Sequence, residues 1–592
     1  MSTHLFIRPA LLSIGLIGMI GCAATPAAVN SSSNSAATQP AAQAATNEAT
    51  IYYNGNIITM EGDKPQLAQV LVTQNGKIAY VGSLKEAQNN YKNAATVDLQ
   101  HQTLLPGFID PHSHFGLVSN TMGQVDLSAP PIGKIDSIDK MLQALKAYKK
   151  DNNIADGEWI FGWGYDETQL AEDRHPTKEE IDSVLPNNPV YLQHTSGHMG
   201  VANSSALAAM DITADSQSPE GGNIARIDGS NEPNGLLQET AMYPLMYQLL
   251  KTLEPKQAQF FDQTQDYYAK YGVTTAQDGS TTRDAIQFFQ KQADDGKLKI
   301  DLVSLAGVSD LDENLADKDF KWQTYQDGFK VQGTKIIADG SPQGKTAYFT
   351  QPYLTPVPDC KSDCRGLPSI SQEKMNEMFV KAYKNDNQLF IHNNGDAATD
   401  MILKAHEYAV KQTGQAADKD RRIVPIHTQF ARPDQLAAFK KYNMVPSFFT
   451  NHAYFWGDVH IKNLGEKLAN SLSPLATVDK MGIPYTNHSD DTVTPVDPLF
   501  SVWTAVNRTS RTGKIIGADE RVTPYQALKA ITSNAAYQYF EEDTKGTLAL
   551  GKFADLVILD GNPLTVPANE IRNIHVVKTI KEGNTIYQRP VQ

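Results

Sequence analysis

The chain has 592 residues, 41% hydrophobic and 20% charged, an ordinary globular composition that allows one large domain with additions or several domains. Its formal charge of -14 comes from 66 acidic against 52 basic residues spread along the sequence. No basic stripe exists to neutralise a phosphate backbone, which excludes nucleic acid as an expected partner.

Residues 1–22 read as a signal segment. His4 and Arg8 precede the apolar stretch Leu11 to Ile20, and Met19-Ile20-Gly21-Cys22 closes it with a small residue before cysteine. The stretch is too short for a permanent membrane-spanning helix. The pattern resembles a bacterial lipobox, with Met where Leu is commoner. That resemblance implies diacylation of Cys22 and a membrane-anchored protein of the bacterial cell envelope, facing the periplasm or the exterior. Residues 23–48 are almost wholly Ala, Ser, Asn, Thr, Gln and Pro, which bury too little apolar surface to offset chain entropy, so this segment is expected to be a tether.

The ordered part begins with short strand-like runs at Ile51 to Thr59, Gln69 to Val72 and Lys77 to Gly82, separated by Asn-Gly turns. The C-terminus has the same texture in Gly551 to Asp560 and Val576 to Ile580. A small β-sandwich domain from both chain ends, residues 49–104 plus 547–592, is the expectation. Between them, apolar runs alternate with helix-period segments such as Met141 to Lys149, Glu373 to Tyr383 and Pro524 to Ala536, the pattern of an α/β fold with a parallel sheet. Eight candidate strands run from Leu104 to Ile109, Val273 to Ala276, Ile300 to Leu305, Gly333 to Ile337, Leu389 to His392, Ile423 to His427, Val445 to Phe449 and Ile483 to His488. Eight is the number that closes a TIM-like (β/α)₈ barrel, here spanning 105–546. Residues from about 123 to 253 are too many for one crossover and are assigned to an insertion after the first barrel strand, with Val190 to Gln193 as one of its strands. Cys360 and Cys364 lie in a loop with Pro352, Pro356 and Pro358, where an oxidising compartment favours a small disulfide; a lone CxxxC lacks the second pair a metal site would use.

Asp110-Pro111-His112-Ser113-His114 follows the first candidate strand. Residues two apart in extended chain point to one face, so His112 and His114 can present both imidazoles to one ion. Lys335 lies in the fourth candidate strand, His392 and His427 end the fifth and sixth, and Asp490 follows the eighth. Singly, each has a structural alternative: a hydrogen-bonded core histidine, a solvent-reaching lysine, an aspartate helix cap. Together they place five groups of metal-binding and proton-transfer type on strands one, four, five, six and eight, at the end of the barrel where catalytic groups sit.

These residues carry a family resemblance. Leu105-Pro106-Gly107-Phe108-Ile109-Asp110-Pro111-His112-Ser113-His114, Gly162-Trp163-Gly164-Tyr165-Asp166, Ser196-Gly197-His198, Asn203-Ser204, Gly272-Val273-Thr274-Thr275, Lys335 to Ser341, His392-Asn393-Asn394-Gly395-Asp396, Ser489-Asp490 and Gly551 to Leu556 resemble the amidohydrolase superfamily. Within it they resemble the amidohydrolase-3 branch that includes N-substituted formamide deformylase-like proteins. The resemblance covers nearly everything after the tether. It implies one or two divalent ions, zinc above all, with His112 and His114 on the more buried ion, His392 and His427 on the more exposed one, and Asp490 touching the first. It also implies that Lys335 takes up carbon dioxide as a carbamate, an anion able to sit beside dications that would repel an ammonium. Arg422-Ile423-Val424-Pro425-Ile426-His427 is longer than the usual Arg-Ile-Glu-His run, and Pro342, Gln343 and Lys345 replace the common Leu-Gly-Ser-Arg segment. Those departures bear on substrate identity.

The expected activity is hydrolysis of a carbon–nitrogen bond in a small amide-type substrate, with Asp490 as proton shuttle. His198, Tyr165, His452 and Glu239 are candidate substrate-facing residues, each weighed against a structural role. A deaminase would use the same metal and aspartate. A non-catalytic periplasmic binding lipoprotein would have no need of Asp490 beside four histidines. Self-association into a homodimer is left open.

Overall fold

The computed structural model describes residues 49–590 apart from 196, 198, 220, 221, 358, 359 and 361, so Cys22, the signal segment, the tether and His198 lie outside the described residues, as does the side chain of Glu239. Eight parallel strands form a TIM-like sheet: β1 (Phe108–Ile109), β2 (Val273–Thr281), β3 (Asp301–Gly307), β4 (Phe329–Ile337), β5 (Gln388–Asn393), β6 (Val424–His427), β7 (Ser447–Phe448) and β8 (Thr486–Asn487). Their hydrogen-bonded order is their chain order, as repeated βα units produce. β1 and β8 end that order. Their continuations meet at the C-terminal mouth, where the Asp490 N–H donates to the His112 carbonyl (3.1 Å) and the His114 N–H to the Asp491 carbonyl (2.8 Å).

The strands read as near-continuous apolar runs because both faces are covered; β4 is buried along its length except at Ile337. The covering helices bury one stripe each. Gln372–Lys384 is capped by Ser371, whose side chain accepts from the Lys374 N–H, and it buries Met375, Met378, Phe379, Ala382 and Tyr383 at three- and four-residue spacing. The helical segment from Pro524 is two helices, Pro524–Ala530 and Ser533–Gln538, interrupted at Thr532, where φ is -133° and ψ is -96°.

Both chain ends build one connected mixed sheet. Thr103–Pro106 runs parallel to Thr50–Ile58 and antiparallel to Leu556–Leu559, which continues to Val576–Lys581 and Asn584–Gln588. The run from Leu104 to Ile109 is therefore not one barrel strand: its first part belongs to this mixed sheet and only Phe108–Ile109 to the barrel. Gly107 is the crossing point, where a Cβ would lie 2.4 Å from the Thr274 hydroxyl, so the chain passes at a distance only glycine allows. The insertion forms a sheet of six strands in the order Gly222–Arg226, Pro233–Glu239, Met199–Ala202, Val190–His194, Ile160–Tyr165 and Val125–Asp126, with its own apolar core around Leu127, Met141, Leu145 and Leu192.

A buried charge network ties the mixed sheet to the barrel at the N-terminal ends of β3 and β4. Lys545 contacts Asp301 (2.5 Å) and Glu541 (2.9 Å), Lys581 contacts Asp301 (2.9 Å) and Asp555 (3.0 Å), and Lys330 pairs with Glu541. Burial pushes the Asp301 carboxyl up, but the Lys545 and Lys581 ammoniums outweigh it and hold it below its usual range; for Glu541, Lys545 and Lys330 do the same. Carboxylates with depressed folded-state pKa values stabilise the fold above the ordinary carboxylate range and lose that contribution as pH falls through it. Removing one ammonium strands its acidic partners in the interior. Lys545→Met is expected to cost about 3–5 kcal/mol at neutral pH in chemical denaturation, with the difference from wild type shrinking in acid as Asp301 and Glu541 protonate. A neutral-pH loss under about 1 kcal/mol would reject this network as a clamp between the two sheets.

Candidate metal centre

The register of the parallel sheet gathers the polar strand ends. Lys335 lies opposite Phe390, His392 opposite Ile426, Asn393 opposite His427 and His427 opposite Phe448, so β4, β5 and β6 expose their last side chains at one rim. At that rim His112 Nε2 lies 3.0 Å from Lys335 Nζ and 3.4 Å from Asp490 Oδ1. His114 Nε2 is also 3.4 Å from Asp490 Oδ1. His427 Nδ1 lies 3.8 Å from Asp490 Oδ2, and its Nε2 is 3.1 Å from His392 Nδ1. The six side chains expected from the sequence are thus brought together. One ligand atom each from His112, His427 and Asp490 fall within 4.8 Å of one another.

The outer nitrogens are fixed from behind. Gln277 lies against His112 Nδ1, and the Gly279 carbonyl lies 3.0 Å from His114 Nδ1, so both Nε2 atoms face inward. Gly279 is required for this approach, because a Cβ there would sit 2.7 Å from His112 Cε1 and 3.0 Å from His114 Cε1. Asp490 is held with φ +54° by the bond to the His112 carbonyl and by the Val493 N–H donating to its own carbonyl (2.6 Å). Ser489, beside it, donates through its N–H (3.2 Å) and its hydroxyl to the two oxygens of Asp110.

Burial, reinforced by the Lys335 charge, pushes His112 well below the usual imidazole range, and burial with the His392 charge does the same to His427. Both are therefore neutral, the form that ligates metals. Burial also drives Lys335 down to about 7, against the smaller opposing pull of Asp490. For Asp490 burial acts upward, but the nearby His114 imidazole, together with His488 and Lys335, prevails and keeps the carboxyl low.

A metal ion fits this donor set on one observation in particular: Asp490 Oδ1 is buried and receives no hydrogen bond of good geometry, although two imidazole nitrogens point at it from 3.4 Å. A buried carboxylate oxygen left in that state is costly unless a cation completes its surroundings.

The substrate-facing expectations fare differently. Tyr165 is fully buried in the core of the insertion, with its hydroxyl 3.0 Å from His175 Nδ1. His452 is likewise a packed histidine: it is 3% exposed, its Nδ1 lies 3.1 Å from His460 Nε2, and its ring rests on Phe449 and Trp456. His198 and the Glu239 side chain lie outside what is described. Cys360 and Cys364 are joined by a disulfide with S–S 2.09 Å.

Four residues beyond the expected set shape the centre. His488 is buried between His427 Nδ1 (3.0 Å from its Nε2) and the Ser447 hydroxyl (2.8 Å from its Nδ1), and burial drives it to about 3. A signal for it existed, since it lies two residues before Asp490 at a strand end. Gln277, Asp110 and Asp339 act from behind. Asp339 accepts from the backbone N–H groups of Tyr348 (3.0 Å), Asn394 (2.9 Å) and Gly395 (2.8 Å) and fixes the turn after His392. Asp110 had the same signal, two residues before His112, whereas only the fold brings Gln277 and Asp339 to the centre.

Comparison with known proteins agrees with this architecture. The chain is 28% identical over 550 residues to the N-substituted formamide deformylase of Arthrobacter pascens, covering 90% of this chain and 98% of that one. It is 29% identical over 551 residues to the protein LONG AFTER FAR-RED 3 of Arabidopsis thaliana, covering 90% of this chain and 91% of that one. Its fold matches the crystal structure of an uncharacterized metal-dependent hydrolase from Pyrococcus horikoshii OT3 with a TM-score of 0.69 at 22% identity, over 91% of this chain and all of the other. The model of the amidohydrolase family designated Amidohydro_3 matches residues 95–587, and the chain belongs to that family.

Proposed function

We propose that this chain is a metal-dependent hydrolase that cleaves a non-peptide carbon–nitrogen bond, with Asp490 as the proton-transferring residue. The observation that carries the reading is the buried Asp490 oxygen that receives no well-formed hydrogen bond, set between His112 and His114 and beside Lys335 and His427. His112, His114, His392, His427 and Asp490 would hold one or two divalent ions, zinc being suited to a nitrogen-rich set. Such an ion supplies Lewis acidity, polarising a carbonyl and lowering the pKa of water to about 7. The relative that acts on N-substituted formamides supports an amide as the substrate class.

Lys335 is proposed to be the carbamate. Its amine is buried, its nearest polar neighbour is His112 Nε2, and no carboxylate lies within ion-pair distance among the described residues. With its pKa near 7, much of the amine is neutral at neutral pH and can add to carbon dioxide, releasing one proton and leaving an anion where the cation was. The proton transfers then fall to Asp490, whose carboxylate oxygen takes the proton from the attacking water and returns it to the departing nitrogen. His112 and His114, oriented by Gln277 and Gly279, keep that oxygen facing the reaction space.

Metal holding and chemistry separate in mutants. Lys335→Ala should lower the bound-metal stoichiometry measured by atomic emission, with partial recovery in a short-chain carboxylic acid that stands in for the carbamate. Full stoichiometry in that variant would remove Lys335 from the site's charge balance. Asp490→Asn keeps size and shape but loses the basic oxygen, so turnover on a panel of N-formyl and N-acyl amides should fall ~10²-fold or more while metal content falls modestly. Near-normal turnover would end the proton-transfer role, and release of ammonia instead of amine cleavage would make the chain a deaminase.

The same proposal places the mature protein on a membrane through a diacylated Cys22, on the strength of the lipobox-like Met19-Ile20-Gly21-Cys22 run. No helix among the described residues is long and apolar enough to cross a bilayer. Cys22→Ala, expressed in a bacterium that processes lipoproteins, should move the protein out of the membrane pellet. An unchanged, carbonate-resistant pellet would reject the anchor.

A further inference from the structure

Beside the candidate centre lies a cavity of about 310 Å³ whose walls are the direct continuations of the site-bearing segments. Val118 and Met122 come from the helix Phe115–Thr121 and its C-cap directly after His114, and Asp491 to Val493 follow Asp490. Phe455 and Trp456 follow β7, and the insertion adds Trp163 and Gln169. Most of this wall is apolar or aromatic and suits a group the size of a phenyl ring.

One side chain in it is out of keeping. Arg511 lies in the hairpin closed by the Thr509–Ile515 bridge, and its guanidinium spans the gap between barrel and insertion. Its carbon rests 4.9 Å above the Phe455 ring, and Nη1 donates to Gln169 Oε1. Its Nε is buried and has no acceptor, and the guanidinium has no ion-pair partner among the described residues. The hairpin is braced independently of the arginine: Asp458 accepts from the Thr512 hydroxyl (2.8 Å) and pairs with Lys514 (3.0 Å), while the Arg511 N–H donates to the Tyr454 carbonyl (3.1 Å). Arg511 is thus held in place by its backbone and loop, with a donor left over.

Each acidic group on the same wall has one oxygen taken up within its own loop, and none forms an ion pair with the guanidinium, although the Asp166 charge acts on it. Asp126 accepts from the Ser128 N–H (2.9 Å), Asp166 from the Thr168 N–H (3.0 Å) and hydroxyl (2.6 Å), and Asp491 from the Val496 N–H (3.0 Å). Each caps its own loop, which leaves the arginine's Nε as the orphaned donor of the cavity wall. A guanidinium held over an aromatic face, lining a largely apolar cavity and keeping donor capacity unused, is the arrangement that recognises a planar anion once its buried Nε is uncovered by a small side-chain shift.

We propose that Arg511 is a specificity residue that binds a carboxylate on the substrate, so that the preferred substrates are amides carrying an apolar, aromatic-sized group together with a carboxylate. This rests on the amide-hydrolase reading for the site but not on its proton chemistry. Arg511 touches the substrate remote from the bond that breaks, so its contribution is uniform binding and appears in KM more than in kcat.

The test uses a matched pair that differs only in the carboxylate, N-formylphenylalanine and N-formylphenethylamine, on the metal-loaded protein. The acid should be favoured in kcat/KM, and Arg511→Gln should erase that preference by raising KM for the acid roughly 10- to 100-fold, the range of a charge-assisted hydrogen bond, with little change for the neutral partner. Arg511→Lys, which keeps the charge without the fork, should retain part of the preference. No preference in wild type, or equal damage to both compounds in the glutamine and lysine variants, would overturn the assignment. If neither compound is turned over, calorimetric binding of 3-phenylpropanoate and 3-phenylpropanamide makes the same comparison without chemistry. Acid binding that depends on Arg511 would then keep this proposal while the hydrolase reading falls. Acid binding that survives Arg511→Gln and vanishes with chelator would place the carboxylate on the metal and reject it.

Discussion

Two buried groups of opposite charge type, the Lys335 amine and the Asp490 carboxylate, share one dry rim with four histidines, and the surrounding barrel is arranged to tolerate them. An unpaired charge in such a place is unfavourable by several kcal/mol. The chain does not relieve this with a direct lysine–aspartate bond: each group instead faces an imidazole, at 3.0 Å for the lysine and 3.4 Å for the aspartate. Every imidazole around them is in turn anchored at a nitrogen, His112 by Gln277, His114 by Gly279, and His427 by His488 with Ser447 behind it. The result is a set of preoriented nitrogens around an anion, the arrangement in which a cation improves the electrostatics and little has to move.

The price of this arrangement is visible in the backbone. His427, Thr428 and Asp490 hold φ at +70°, +42° and +54°, values that residues with a Cβ seldom adopt. These residues sit where β6 and β8 turn away from the sheet, and the turns re-aim side chains that a regular strand would direct elsewhere. The opposite end of the barrel carries the compensating order: three lysines and three carboxylates, all buried, knit β3 and β4 to the mixed sheet. Left-handed backbone at these three residues thus serves the face that carries the candidate ligands, while buried ion pairs hold the opposite face to the mixed sheet, a division of labour expected of barrels whose strands all point one way.

Much of the barrel was legible because its information is local. Eight apolar runs and the helix-period segments between them mark the strands, and a ligand at a strand end is recognisable from its place in that alternation, as with His392 and His427. The two-residue spacing of His112 and His114 carries its own geometric meaning. What escaped depends on contacts distant in sequence. Gln277 reaches His112 across 165 positions, and Asp339 organises the turn after His392 through three backbone donors, none of which a pattern along the chain reveals. Tyr165 and His452 show what a pattern along the chain omits: each is buried, and each has its polar atom beside a histidine further along the chain, His175 and His460. The single run from Leu104 to Ile109 misled for a related reason: hydrophobicity continues unbroken while the chain changes sheets at Gly107.

The insertion bears on how substrates reach the centre. Among the candidate ligands, His114 and His392 keep about a fifth of their side-chain surface exposed, while His112, His427 and Asp490 are nearly sealed, so approach is from the side of the first and fifth strands. On the cavity beside that opening, the wall is shared between loops that carry ligands and a six-stranded sheet that carries none. The side chains contributed by the insertion, Trp163 and Gln169 among them, belong to a sheet that carries none of the candidate ligands, and the two parts of the wall meet where Arg511 reaches from the barrel to Gln169. Strand-end motifs along the sequence therefore reveal the candidate metal centre, whereas the composition of this wall appears only once the two sheets face each other.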